Sequence, residues 1–241
     1  MKKKIVVFSG AGLDKESGIS TFRDAKDGMW NNYKIDEVAT PEGWEKDPQK
    51  VLDFYNERRR EMPNVEPNRA HKALVDLEED YDVIHVTQNV SDLLERAGVS
   101  TVYHLHGELT KARGETGNKI SDRFKPTKVI DIGYNDINLG DLCEENGKQL
   151  RPDIVWFSEY PLQAYKAVEN ADILLIVGTS LQIGYTHHML RSVKDGCRII
   201  YVDPSPANDL SNYGMKVEYI RESAEKGITT LVESLLDEAQ K

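Results

Sequence analysis

The feature that most restricts the fold lies near the start of the chain. There the apolar run Lys4-Ile5-Val6-Val7-Phe8 leads straight into Ser9-Gly10-Ala11-Gly12. Consecutive apolar positions suit a strand covered on both faces. A glycine turn directly after such a strand lets the backbone approach a pyrophosphate and aim N–H groups at it; a tight structural turn reads the same way. Further short apolar runs follow at 83–87 (VIHVT), 102–105 (VYHL), 154–157 (IVWF), 173–177 (ILLIV), 198–202 (RIIYV) and 217–220 (VEYI). Helical patterns separate them. Asp47-Pro48 opens a helix through Met62, and Asn68 caps a second with Ala70, Ala73, Leu74 and Leu77 on one stripe. Ser91 to Ala97 is a short third, stopped by Gly98. Residues 222–240 form a last amphipathic helix with Ile228, Leu231, Leu235 and Leu236 inward. This alternation predicts an α/β fold, a doubly wound, Rossmann-like parallel sheet.

Two segments break the alternation. Residues 25–80 read as mostly helical, and residues 111–150 are polar and weakly periodic. A structureless loop of that length does not suit a compact domain. We therefore expect one domain over 1–241: a Rossmann-like part (1–24, 81–110 and 151–241) and a smaller module (25–80 and 111–150) with a cleft between them. The net charge, 31 − 41 = −10, argues against a nucleic-acid partner. No apolar run approaches the roughly 20 residues of a membrane helix, and only four apolar residues precede Ser9, short of a secretory signal. A cytoplasmic protein without membrane contact is expected.

The glycine turn continues as GAGLDKESGISTFRD, which resembles the nucleotide-binding signature of the sirtuins, NAD-dependent protein deacylases (GAGxSxxSGIPTFR). Four further blocks resemble that family in order. They are Thr87-Gln88-Asn89-Val90 (TQNI), His104-Leu105-His106-Gly107 (LHG), Arg151-Pro152 with Ile154 to Glu159 (RPxxVWFGE) and Gly178-Thr179-Ser180-Leu181 (GTSL); after the last, Ile183-Gly184-Tyr185 departs from the family's VxP. The resemblance implies NAD as cofactor and acylated protein lysines as partners, with nicotinamide and O-acyl-ADP-ribose as products. On the matching positions, Gly10, Ala11 and Gly12 line the phosphates, and Phe22 and Arg23 cover the reacting ribose and nicotinamide. Gln88 and Asn89 bond the ribose and the nicotinamide side. Gly178, Thr179 and Ser180 meet the adenosine half, Asp203 its ribose, and Ala224 the adenine. His106 matches the general base, and an imidazole titrating near neutrality suits that task. His104, two residues away on a strand, points to the opposite face and reads as packed or backbone-bonded. The adjacent His187 and His188 read as a surface feature of a helix start.

Tyr55 and Arg58 stand three apart on the helix that begins at Pro48, so they share a face. A phenol beside a guanidinium makes a carboxylate receptor; a core tyrosine beside a solvated basic run (Arg58, Arg59, Arg60) is the plainer reading. The surrounding ATPEGWEKDPQKVLDFYNERRRE resembles the desuccinylase and demalonylase-type (class III) bacterial sirtuins, in which this pair recognises the acyl carboxylate. Arg59 and Arg60 are expected at the surface.

The chain departs from the family pattern at several positions. The interval 108–150 holds only Cys143 where the family has two cysteine pairs, and Gly114 stands where the first would follow Lys111-Ala112-Arg113. A small module without zinc is therefore expected. Ser91 replaces the acid of QNID and Leu94 the following histidine. Asp14 replaces the serine of GAGxS, Ser20 the proline of GIPTFR and Ser158 the glycine of FGE. An NAD glycohydrolase, or a module that only binds NAD or ADP-ribose, are the other readings these departures leave open.

Overall fold

The computed structural model describes residues 2–19, 33–116, 128–159, 163–205, 210 and 214–240. Its strands are β1 (Lys4–Ser9), β2 (Asp82–Thr87), β3 (Val102–His104), β4 (Gly107–Gly114), β5 (Val129–Asp131), β6 (Leu150–Ile154), β7 (Ile173–Val177), β8 (Arg198–Val202) and β9 (Val217–Ile220). Its α-helices are α1 (Ile35–Val38), α2 (Pro41–Lys46), α3 (Pro48–Glu61), α4 (Arg69–Asp76), α5 (Leu93–Ala97), α6 (Gly184–Arg191) and α7 (Ala224–Ala239). Among the described residues, no helix is long and apolar enough to cross a membrane.

Six strands form a parallel sheet in the order β3-β2-β1-β7-β8-β9. The expected doubly wound, Rossmann-like architecture is therefore present. Strands β1 and β7 are buried on both faces because alternate residues enter different cores. Ile5, Val7, Leu175 and Val177 pack with Ala70 and Leu74 of α4 and Ile228, Leu231 and Leu235 of α7. Val6, Phe8, Leu174 and Ile176 pack with Met189 and Leu190 of α6.

Local signals set the helix ends. Asp47 accepts from Lys50 N at 3.0 Å, with Pro48 in the first turn of α3. Asn68 accepts from Ala70 N, and Ser223 caps α7. Gly98 ends α5 at φ +108°, where a side chain would be strained.

A second sheet, antiparallel and ordered β5-β4-β6, carries the rest. It packs on α3 through Leu52, Phe54, Tyr55, Leu109, Ala112, Ile137, Ile154 and Trp156. One strand expectation is corrected here: the apolar run 154–157 is not a strand of the parallel sheet. The strand is β6, at an edge where Pro152 needs no outward ladder bond. Trp156 instead turns into the core beneath α3.

Candidate active site at the switch point of the sheet

The strand order reverses direction between β1 and β7, and in open α/β sheets ligands bind outside the carboxyl ends at such a point. The turns after these two strands interlock here. Gly10 N donates to Val177 O at 3.0 Å and Gly12 N to Gly178 O at 2.8 Å. A Cβ on Gly10 would stand 2.7 Å from the Cβ of Thr179, and one on Gly12 2.6 Å from the Cα of Gly178. Gly178 itself sits at φ +59°. These glycines are dictated by loop-to-loop contact, and their N–H groups are spent on it. Ala11, exposed between them, is the position of that turn turned toward solvent.

The loops after β2 and β3 close the other side. His106 donates Nδ1–H to Gln88 O at 2.9 Å, since a carbonyl can only accept. That fixes the tautomer with Nε2 as the proton acceptor. Burial pushes His106 below the ordinary imidazole range, and the bond to the Gln88 carbonyl opposes this. The Tyr185 hydroxyl lies 3.0 Å from His106 Nε2 and accepts from Gln88 Nε2 at 2.8 Å. Thr179 Oγ1 donates to Gln88 Oε1 at 2.6 Å and so sets the side-chain amide. A hydrogen-bonded chain thus runs from Thr179 through Gln88 and Tyr185 to His106. Sequence reasoning missed Tyr185; its signal was an aromatic residue where the family pattern has proline. Gly107, at φ +81°, lets the chain turn after His106, and a Cβ there would lie 1.8 Å from Asp153 O.

Asn89 donates to Gly10 O at 3.1 Å and to Asp14 Oδ1 at 2.7 Å. Asp203 directly follows β8 and accepts from Ser205 N, and Ala224 is the buried first residue of α7. Ser180 follows Thr179 in the loop after β7. Phe22 and Arg23 lie outside the described residues, as does Ser20. His104 is bonded at both nitrogens, to Asn89 O and to Glu95 Oε1, each at 2.8 Å. Burial alone would lower its pKa, but Glu95 reverses the balance and raises it.

On α3, Tyr55 is buried and accepts from Trp156 Nε1 at 3.2 Å. Burial pushes its phenol up to about 12. The Arg58 guanidinium lies 3.3 Å over the Phe54 ring, donates to Phe54 O at 2.7 Å, and is pulled down to about 10 by burial. Val155, next to Trp156, donates its N–H to His106 O at 2.9 Å, so the tyrosine's partner adjoins a direct partner of His106. Arg59 corrects an expectation. It is fully buried, donating to Leu109 O and Asn56 Oδ1, both at 2.6 Å. Arg60 is exposed and pairs with Asp136.

The Arg-Pro block also gains a physical reason. Glu159 accepts from Trp156 N and Arg151 Nη2, both at 2.9 Å, while the Arg151 guanidinium lies 3.7 Å over the Trp156 ring. Ser158 holds φ +71°, a conformation that costs a non-glycine residue about 1–2 kcal/mol. That accounts for glycine in the family pattern. Among the described residues of 108–150, none adds a second thiolate to Cys143 for a structural zinc. Cys143 is buried, and a Cβ at Gly114 would lie 2.7 Å from its Cβ and 2.7 Å from Asn146 Oδ1. Among the described residues, the one cluster with metal-ligand spacing is Glu95, His104 and Glu108, with Glu108 held by Lys111.

A doubly wound sheet with interlocked glycine turns, an oriented histidine and a neighbouring antiparallel module defines a nucleotide-binding protein with an acid–base centre. Comparison with known proteins makes this specific. The Sir2 family model matches residues 10–184. A Helicobacter pylori protein named NAD-dependent protein deacylase is 46% identical, covering 98% of this chain and 99% of its own length. A Sir2 homologue in complex with ADP-ribose superposes with a TM-score of 0.82 at 32% identity, covering 99% of this chain and 94% of that one. A Sir2 homologue bound to NAD gives 0.80 at 33%, covering 99% and 91%. The chain belongs to the Sir2 family.

Proposed function

We propose that this Sir2-family protein is an NAD-dependent protein deacylase that acts on lysines carrying acidic acyl groups, succinyl or malonyl in class. The relatives' activity supports the general reaction. The half-buried Arg58 beside Tyr55, on a helix tied through Trp156 to the backbone partner of His106, carries the acyl choice. An acyl carboxylate there makes charge-assisted bonds to the guanidinium that an acetyl group cannot make.

The residues fit NAD at the switch point. The loops holding Gly10, Ala11, Gly12, Gly178, Thr179 and Ser180 close on each other tightly enough that only glycines fit at the contacts. In this reading they border the phosphates and adenosine half, with Asp203 at the adenosine ribose, Ala224 at the adenine, and Phe22 and Arg23 over the reacting end. NAD supplies a ribose carbon that becomes electrophilic as nicotinamide leaves. His106 Nε2 takes a proton from a ribose hydroxyl, which replaces the Tyr185 hydroxyl as its partner. Gln88 holds the imidazole by its carbonyl and Tyr185 by its amide. Asn89 offers its carbonyl oxygen to the ribose on the nicotinamide side. The small module carries no zinc in this reading.

Nicotinamide release from NAD, measured with succinyl-lysine peptide, acetyl-lysine peptide or none, tests the proposal. We expect release to require peptide. The succinyl peptide should be favoured about 5- to 150-fold in kcat/KM, the equivalent of about 1–3 kcal/mol for a hydrogen-bonded charge. Arg58→Met should flatten or invert that preference, and Tyr55→Phe should weaken it less. Equal values for both acyl groups would refute the acidic pocket. Release without peptide would point to a glycohydrolase, and no release under any condition to a binding module.

A further inference from the structure

Two departures from the family pattern, 77 residues apart in the chain yet adjacent in space, turn out to be one. The turn after β1 carries an acid where the pattern has serine, and the loop after β2 carries serine where the pattern has an acid. The structure brings these side chains into contact: Ser91 Oγ donates to Asp14 Oδ2 at 2.6 Å. Both residues are buried. The pair therefore holds one carboxylate and one hydroxyl, as the family pattern has at these two positions, with the loops exchanged.

Asp14 gathers two more donors. Asn89 Nδ2 reaches Oδ1 at 2.7 Å and His71 Nε2 reaches it at 3.2 Å. His71 Nδ1 is buried without a hydrogen-bond partner, and Nε2–H is the ring's donor to the carboxylate. A carboxylate can only accept, so it dictates which way an amide beside it is turned. Asn89 must present NH₂ to Asp14, and its second amide hydrogen goes to Gly10 O at 3.1 Å. The carbonyl oxygen of Asn89 is left as the atom available to a ligand. A serine at position 14 could donate or accept and would not impose that orientation.

We infer that Asp14 is a positioning residue that fixes the Asn89 amide for NAD, and that Asp14 and Ser91 are a reciprocal exchange of acid and hydroxyl. This rests on the NAD-site reading above but not on the acyl choice.

Four variants test it: Asp14→Ser, Ser91→Asp, the double variant, and Asp14→Asn. The readouts are kcat and the KM for NAD in nicotinamide release with the better acyl peptide, ADP-ribose affinity by calorimetry, and thermal melting. Asp14→Ser removes the carboxylate; Ser91→Asp sets two carboxylates against each other, which disfavours both charges. Each single variant is expected to lose about 10- to 100-fold in kcat/KM for NAD, and the double variant to regain most of it, as coupling between contacting residues allows. Asp14→Asn keeps the size but no longer dictates the amide, so it should raise the KM for NAD and weaken ADP-ribose while melting near the parent protein. A double variant that is unfolded, or no better than the worse single, overturns the exchange. An Asp14→Asn variant with unchanged KM and ADP-ribose affinity overturns the positioning role. If the parent protein releases no nicotinamide, the proposed function fails, and ADP-ribose calorimetry still decides the exchange.

Discussion

Replacing Tyr185 with phenylalanine is expected to move the acid limb of the kcat/KM profile to higher pH. His106 must be neutral to accept a proton, so activity falls as pH drops through its pKa. In the folded protein, burial holds that pKa below the ordinary imidazole value. The Tyr185 oxygen accepts from Gln88 at 2.8 Å and stands 3.0 Å from His106 Nε2. With Gln88 donating to the oxygen, the hydroxyl proton points to the unprotonated nitrogen. Protonating His106 sets a second donor against the same oxygen and forces the hydroxyl proton away, so this bond favours the neutral ring. A neutral hydrogen bond contributes about 0.5–1.5 kcal/mol net. At about 1.4 kcal/mol per unit, its loss raises the limb by about 0.4–1 unit. The profile of kcat/KM reports the free enzyme, the state in which Tyr185 faces His106. It should be measured from about pH 5 to 8, the range over which histidine titrates. A limb that stays put or moves down would refute the reasoning. A collapse of the plateau with an unmoved limb would show that the hydroxyl is needed in turnover instead.

Three other outcomes follow from particular residues. His106→Ala should lower acyl transfer by about 10²–10⁴ while calorimetry finds NAD binding nearly intact; undiminished turnover would remove His106 from the role of base. Metal analysis of the purified protein is expected to find no stoichiometric zinc, because Cys143 is the single cysteine in 108–150; one equivalent held against chelators would overturn this. His85, fully buried in β2 with neither ring nitrogen hydrogen-bonded, is pushed down to about 4 by burial. Between that value and the unfolded value near 6.5 the unfolded chain binds the extra proton, so stability is present above pH 6.5 and declines as pH falls toward 4. The contribution is about 3 kcal/mol, and urea unfolding of His85→Val should show a flatter acid dependence.

What the sequence makes legible is local. Strands β1, β7 and β8 announce themselves because residues buried on both faces must be apolar in succession. The starts of α3 and α4 announce themselves because Asp47 and Asn68 satisfy their own helices. The site's positions along the chain were legible through motif blocks, while their bonding was not. Nothing in the order of residues shows that Gly10 and Gly12 spend their N–H groups on the loop after β7. Strand β4 was hidden because it buries only Leu109, Ala112 and Gly114 and alternates with charged residues of a largely polar segment. Arg59 was misplaced because three arginines in a row carry no sign of which one faces inward. On a helix, three successive residues span about 200° of its circumference, so one of them can face the core.

That buried arginine bears on how the small module holds its place. Asn56 clasps one backbone residue of the module, donating to Ile137 O at 2.9 Å and accepting from Ile137 N at 3.1 Å. Arg59, one turn on, reaches Leu109 O in β4. Leu109 N in turn donates to Val90 O in the loop that follows β2. Helix α3 is thus fastened to the module by Asn56 and Arg59, and to the residue beyond His106's backbone partner by Tyr55. Arg58 lies between these anchors in the chain, with its guanidinium over Phe54. The same helix that fastens the module therefore carries the guanidinium that the proposed acyl carboxylate would meet. A cavity opened at Asn56 or Arg59 should reach acyl selectivity as well as stability, although neither residue is placed at the acyl group.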